Sequence, residues 1–296
     1  MTMTAESLRR RCADEMSRTP RGFADATWLH EAFLSVPREH FVPDQVWWPA
    51  LREDGLYSLI DRTERPRAWL KSVYQPGAAL ITQIDDGQVQ PTGPAHGSFS
   101  SSISSSGVVV ELLRHLDPGP THRILEVGTG TGYTTALLAC RAGAENVVTI
   151  EIDPQLAARA STRLAELGIH TPVITGDGEL GHAAGGPYDR IVATASVRHI
   201  PPAWLQQLRP GGILLAPLDS PLGCDLLARL EADGNGSATG DFVAQVEFMR
   251  LRGQRERRSY AALGWPEKVD LERWQELRFD VGPTGQKISQ PGSPCK

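Results

Sequence analysis

The sequence predicts an α/β fold centred on a doubly wound, mostly parallel sheet of seven strands. Three observations predict it. Short apolar runs alternate with helical repeats from Val108 to about Ala216. A turn with glycine at every second position separates one such run, Ile124 to Val127, from the helix after it. Asp153-Pro154 then opens a further helix as N-cap and first-turn proline.

Residues 1–75 read as mainly helical and hold Trp28, Trp47, Trp48 and Trp69, while Pro37, Pro43 and Pro49 break the region into short pieces. Those tryptophans read as core and lid before ligand stack. From Gln75 to Gly107 the chain is polar and rich in Gly, Ser and Pro, with seven serines in the nine residues from Ser98 to Ser106. Composition alone suggests a linker. Ile81-Thr82-Gln83-Ile84, Phe99 and Ile103 offer apolar anchors, so an ordered loop is the competing reading.

Val108, Val109, Leu112, Leu113 and Leu116 repeat at helical spacing. The strand Ile124 to Val127, a helix from Thr134 to Arg141 and a strand from Val147 to Ile150 follow. The helix opened by Asp153 turns Leu156, Ala160, Leu164 and Leu167 inward and stops at Gly168. Further strands are expected at 173–175, 190–193, 213–216, 226–230 and 242–248. Residues 252–296 are arginine-rich, then Gly/Pro-rich, and read as an accessory segment with a partly ordered end. The expected division is an N-terminal helical region with a serine-rich loop (1–106), a sheet core (107–232) and C-terminal strands with the accessory segment (233–296).

At 296 residues, 40% apolar and 22% charged, the composition is that of an ordinary globular protein. No stretch of 18 apolar residues suggests a membrane span, and the polar segment Met1 to Arg11 has no apolar signal core, so a cytoplasmic location is expected. Cys12, Cys140, Cys224 and Cys295 lack zinc spacing, and neither a metal nor a disulfide is expected. The net charge of −5 provides no general attraction to nucleic acid. Arginine outnumbers lysine 26 to 4, which suits carboxylate recognition and also matches a GC-rich coding bias.

The turn after Val127 reads G-x-G-x-G at Gly128, Gly130 and Gly132, not the G-x-G-x-x-G that seats a dinucleotide pyrophosphate. Glu126 at the strand end would repel a phosphate. A ligand with a cationic amino-acid part and no phosphates fits better, and S-adenosylmethionine is such a molecule. Glu151 ends the next strand 25 residues later, where a carboxylate can accept both ribose hydroxyls. Asp177 in Gly176-Asp177-Gly178 can accept from an adenine amino group while the Gly178 amide donates to a ring nitrogen. Each acid also has a structural reading: Glu126 paired with an arginine, Glu151 capping the next helix, Asp177 serving a turn.

The block from Ile103 to Pro217 resembles the protein-L-isoaspartate O-methyltransferase family. The resemblance rests on Ile103-Ser104, Val109 to Leu113, Ile124 to Tyr133, Thr149-Ile150-Glu151, Gly176-Asp177-Gly178, Tyr188-Asp189-Arg190-Ile191, Ile200-Pro201 and Gln207 to Gly212. Upstream, Val36-Pro37-Arg38-Glu39-His40-Phe41-Val42-Pro43 is similar as well. The resemblance implies a class I, Rossmann-like methyltransferase that converts S-adenosylmethionine to S-adenosylhomocysteine. It places Ser104 on the serine assigned to catalysis. The donor set expected here is Ser102, Glu126, Gly128, Thr129, Gly130, Tyr133, Glu151, Asp177 and Gly178.

Ser102-Ile103-Ser104-Ser105-Ser106 stands where the family has Thr-Ile-Ser-x-Pro, so the proline is missing. The Val73-Tyr74 to Thr82-Gln83 segment, the serine stretch and Phe248 to Gly253 look like the branch found beside graspetide and lanthipeptide maturation systems. That likeness implies methylation of an aspartate in a modified, macrocyclic peptide, the ester then closing to an aspartimide. Repair of L-isoaspartyl protein is the alternative. In both, the acceptor is a carboxylate, ionised at neutral pH with a pKa of about 4, so no general base is needed. A serine hydroxyl would orient it.

His199 reads as a packed or solvated histidine before a substrate contact. Arg250, Arg252, Arg255, Arg257 and Arg258 read as a solvated face first and an acidic-peptide site second. No Asn-Pro-Pro-Tyr motif of amino methylation occurs. A protein that binds the donor without turnover would share the donor positions, and methyl transfer distinguishes the two.

Overall fold

The computed structural model describes residues 4–290; the side chain of Leu271 is not described, and Cys295 lies outside the described range. In chain order the elements are α1 (Ala5–Met16), α2 (Thr27–Ser35), α3 (Arg38–Phe41), β1 (Gln45–Leu51), β2 (Tyr57–Asp61), α4 (Pro66–Val73), β3 (Leu80–Ile84), β4 (Phe99–Ile103), α5 (Ser106–Leu116), β5 (Ile124–Val127), α6 (Tyr133–Ala142), β6 (Val147–Glu151), α7 (Pro154–Glu166), β7 (Val173–Thr175), β8 (Tyr188–Ala193), α8 (Pro202–Gln206), β9 (Leu208–Asp219), β10 (Asp225–Ala232), β11 (Ala238–Val246), β12 (Arg278–Gly282) and β13 (Gly285–Ser289). They form two compact units: Met1–Arg114 with Gly130–Arg141 and Ala158–His170, and His115–Thr129 with Ala142–Ala157 and Thr171–Lys296. The units interleave along the chain.

The second unit is built on one mixed sheet of nine strands in the order β13-β12-β11-β10-β9-β8-β5-β6-β7. From β7 through β9 neighbouring strands are parallel, and from β9 to β13 antiparallel. The strand order reverses between β5 and β8, the switch point of a doubly wound sheet. The sheet is thus mixed where a mostly parallel one of seven strands was expected, because β10 to β13 add antiparallel neighbours beyond β9. Phe279, Val281 and Ile288 are buried while Arg278, Asp280 and Lys287 alternate with them, the period-2 pattern of a half-buried strand. That alternation is too short to stand out in a charged, Gly/Pro-rich tail. Phe242 joins the hairpin to the core, stacking between Trp265 and Phe279 at centroid distances of 5.7 and 5.6 Å.

The first unit corrects the helical reading of residues 1–75. It contains a four-stranded antiparallel sheet, β2-β1-β3-β4, besides its helices. Val46-Trp47-Trp48 suits a pleated surface better than a helix, and Pro49 sits where the β1–β2 register shifts between Trp47 and Leu51, an irregularity that tolerates a residue without an N–H. Trp47 and Trp69 are core residues whose indole N–H groups donate to the Gly93 and Pro43 carbonyls, each at 2.9 Å. The serine-rich stretch is strand β4, not a linker. It pairs antiparallel with β3, and hydroxyls add to that ladder: Ser100 Oγ donates to Gln83 Oε1 at 2.8 Å, and Thr82 Oγ1 donates to Ser101 Oγ at 3.0 Å.

Candidate functional site

In the second unit, three expected acidic positions sit at or just beyond the carboxyl ends of β5, β6 and β7, which are neighbours in the sheet. Glu126 is 0% exposed within β5. Beyond Val127 the Gly128 and Thr129 amides both donate to the Ile150 carbonyl, at 2.9 and 3.2 Å. Thr129 and Thr149 hydroxyls lie 2.7 Å apart, so the turn is tied to β6 through backbone and side chain alike. Gly128 has φ +99°, and a Cβ there would meet Thr194 Oγ1 at 2.6 Å. Thr194 donates to the Gly128 carbonyl. Glycine at 128 therefore answers the close approach of Thr194, not only that of a ligand.

Glu151 is 7% exposed, and its Oε1 accepts the Asp153 amide at 3.0 Å. Capping of α7 falls to Asp153, whose Oδ1 accepts the Gln155 and Leu156 amides at 2.9 and 3.2 Å. The other Asp153 oxygen pairs with Arg252 Nη2 at 3.1 Å. Asp177 is exposed, and its Oδ1 accepts the Glu179 amide at 3.0 Å, so it does serve the turn at Gly178–Leu180. Gly178 has no room for a side chain: a Cβ would lie 2.5 Å from Val127 Cγ1. Its carbonyl accepts the Trp204 indole N–H at 2.8 Å.

The segment after β11 runs beside these strand ends. The Leu251 amide donates to the Ser196 carbonyl at 2.9 Å, and Leu251 Cδ2 lies 4.0 Å from where a Gly178 Cβ would be. Buried Gln254 accepts the Arg198 and His199 amides at 2.6 and 3.1 Å and donates to Glu179 Oε2 at 3.0 Å. His199 is half-buried, with Nε2 3.9 Å from the same Glu179 oxygen; burial lowers its pKa and Glu179 partly opposes this. Arg250 is held by Asp219 at 2.8 Å and by Ser196 Oγ at 2.6 Å. The arginine run is thus not one solvated face: Arg250 and Arg252 are held by internal carboxylates, while Arg257 and Arg258 are exposed.

The first unit holds Ser102, Ser104, Gly130 and Tyr133. Gly130 has φ +54°, and a Cβ there would meet nothing closer than Ser102 O at 3.8 Å and Ser101 Oγ at 3.9 Å. A Cβ at Gly130 would thus meet β4 only at ordinary van der Waals distance. Ser104, half-buried, follows β4, and its carbonyl accepts Arg38 Nη2 at 2.8 Å. Tyr133 is 2% exposed, 5.0 Å beneath the Arg38 guanidinium and 5.8 Å from Phe41 by ring centroids. Burial pushes its phenol well above the ordinary value. Tyr133 is packed within the core of the first unit, against Arg38 and Phe41.

Arg38, Thr194 and Gln254 were not singled out for the site from the sequence. Arg38 had a signal, standing in the family-like string Val36 to Pro43; Thr194 and Gln254 had none.

A family model, protein-L-isoaspartate(D-aspartate) O-methyltransferase (PCMT), matches residues 72–256. The chain belongs to this family. Among relatives, protein-L-isoaspartate O-methyltransferase 1 of Anaeromyxobacter sp. is 39% identical over 158 residues, covering 52% of this chain and 73% of the relative. The protein-L-isoaspartate O-methyltransferase of Methylibium petroleiphilum is 38% identical over 241 residues, covering 79% and 81%. A solved protein-L-isoaspartate O-methyltransferase superposes with a TM-score of 0.62 at 16% identity, covering 97% of this chain and all of that one. A Plasmodium falciparum PCMT in complex with S-adenosyl-L-homocysteine gives 0.59 at 18% identity, covering 85% and 99%. At those identities the superpositions establish the fold, that of class I methyltransferases. This PCMT-family chain is an S-adenosylmethionine-dependent carboxyl O-methyltransferase. Within the second unit, the carboxylates at neighbouring strand ends are groups able to accept from such a donor's hydroxyl and amino groups.

Proposed function

We propose that the chain esterifies the free carboxylate of L-isoaspartyl residues in peptides and proteins, the substrate class carried in its relatives' names. The observation that carries this is Ser104. Its hydroxyl makes no hydrogen bond among the described residues, while its carbonyl is clamped by Arg38. Such a hydroxyl can donate to an acceptor carboxylate and fix its approach without taking a proton.

Glu151 would accept the ribose hydroxyls, Asp177 and the Gly178 amide would read the adenine edge, and Gly128, Thr129, Gly130 and Ser102 would line the amino-acid end. Glu126, being enclosed, would act on a nearby cation through its field. The bound donor supplies an electrophilic methyl group on a sulfonium. The protein's part is placement of the acceptor oxygen in line, an effect worth at most roughly 7–11 kcal/mol. The ester then favours imide closure: the following backbone nitrogen attacks the ester carbonyl, the C–O bond to the methoxy group breaks, and the amide proton leaves with it as methanol.

The narrower aspartimide-maturation reading rests on the segments at 73–83, 98–106 and 248–253, and the relatives favour the isoaspartyl reading over it. Methanol release on matched isoaspartyl, aspartyl and macrocyclic aspartyl peptides tests this directly. Turnover of the isoaspartyl peptide alone is expected; preference for the macrocycle would overturn it.

A further inference from the structure

Arg38 belongs to no predicted site, yet it is fully enclosed and meets three separate parts of the first unit. Its Nε donates to the Val73 carbonyl at the end of α4 (2.9 Å), its Nη2 donates to the Ser104 carbonyl (2.8 Å), and its guanidinium lies 5.0 Å from the ring centroid of Tyr133, the first residue of α6. The β3–β4 ladder ends at Leu80–Ile103, and α5 takes a hydrogen bond from Val109 N to Ser105 O. Ser104 falls in the gap between strand and helix, and Arg38 supplies the restraint that neither provides.

A buried cation carries a large desolvation penalty, and an apolar side chain of similar volume would pack here without it. What the guanidinium adds is direction, because its planar fork fixes two carbonyls at once while its face rests on an aromatic ring. We propose that Arg38 is a positioning residue for methyl transfer, setting the direction of Ser104 Oγ through the Ser104 carbonyl and the Tyr133 ring. This rests on the reading of Ser104 given above.

The test is a double-mutant cycle of Arg38→Lys and Ser104→Ala, reading kcat, KM for both substrates, and the melting temperature. Lysine keeps the charge but cannot hold both carbonyls, so kcat should fall about tenfold or more while KM for the donor moves less than about threefold. In the Ser104→Ala background the same substitution should cost less than about twofold, because residues acting as one are non-additive. A full additive loss, or an Arg38→Lys kcat within about twofold of the parent, would overturn the inference. Should Arg38→Lys not fold, Arg38→Ala in millimolar guanidinium replaces it. Recovery of kcat with guanidinium and not with urea is expected, and no recovery overturns the proposal. Unchanged kcat in Ser104→Ala alone would instead sink the reading of Ser104.

Discussion

The Arg38 guanidinium donates to the Ser104 carbonyl across 66 residues of sequence, at 2.8 Å. A fully buried charge thus ends on the short connection, Ser104-Ser105, between β4 and α5. The serine to which the acceptor carboxylate is assigned is held by its main chain, leaving its hydroxyl for substrate.

Ser104→Ala removes only that hydroxyl. The carbonyl bond to Arg38 survives, so the melting temperature should stay within a degree or two. With one positioned donor lost, kcat should fall on the order of 10²-fold. Steady-state kinetics beside thermal melting separates the two effects, and a drop in melting temperature without loss of kcat would contradict the assignment.

Gly128→Ala and Gly130→Ala should behave differently. At Gly128 the φ of +99° and the Thr194 contact at 2.6 Å oppose any side chain, so stability should fall by about 2 kcal/mol or more. At Gly130 the φ of +54° lies in the left-handed region and space is open to 3.8 Å, so the stability cost should be near 1 kcal/mol. The methyl group would instead intrude where the donor's amino-acid end is proposed to lie. Titration with S-adenosylhomocysteine should show the larger loss of affinity per unit of lost stability at Gly130.

Glu151→Gln keeps an oxygen able to accept the Asp153 amide, now 3.0 Å from Oε1, but loses the charge. Hydrogen bonds to a charged group are worth roughly 1.5–3 kcal/mol, so affinity for S-adenosylhomocysteine should weaken by about tenfold or more. Calorimetric titration reads this directly. Unchanged affinity would leave Glu151 with its helix-entry role alone.

His199 sets a pH expectation. Burial holds its folded-state pKa below the ordinary 6.5, so the unfolded chain takes up the proton more readily. Its contribution to stability is present above about pH 6.5 and is lost as the pH falls. Solvent access to the ring keeps the effect small. His199→Gln should therefore flatten the fall in melting temperature between pH 7 and pH 5.

Local rules explain what was legible beforehand. Ile124 to Val127 and Val173 to Thr175 are strands with the expected bounds, because apolar runs this short between turn signals have few alternatives. Asp153-Pro154 and Gly168 bracket α7 for reasons written into those residues: a capping oxygen, a fixed φ, and a glycine at φ +72°. β4 was hidden because its pairing with β3 is a backbone ladder that serine-rich composition does not announce. The Gly128 turn was visible, but Thr194, just beyond β8 and 66 residues further on, fills the side of Gly128, and nothing local announces that. At Asp177 the turn role is observed, one oxygen accepting the Glu179 amide, and the carboxylate stays exposed.

The most direct test is to map the methyl group. An isoaspartyl peptide should be incubated with the protein and methyl-labelled donor, and the product fragmented by mass spectrometry. The account predicts a label on the isoaspartyl free carboxylate, lost as methanol as a succinimide forms. A label on nitrogen, on the peptide's C-terminal carboxylate, or on a normal aspartate in preference would contradict it.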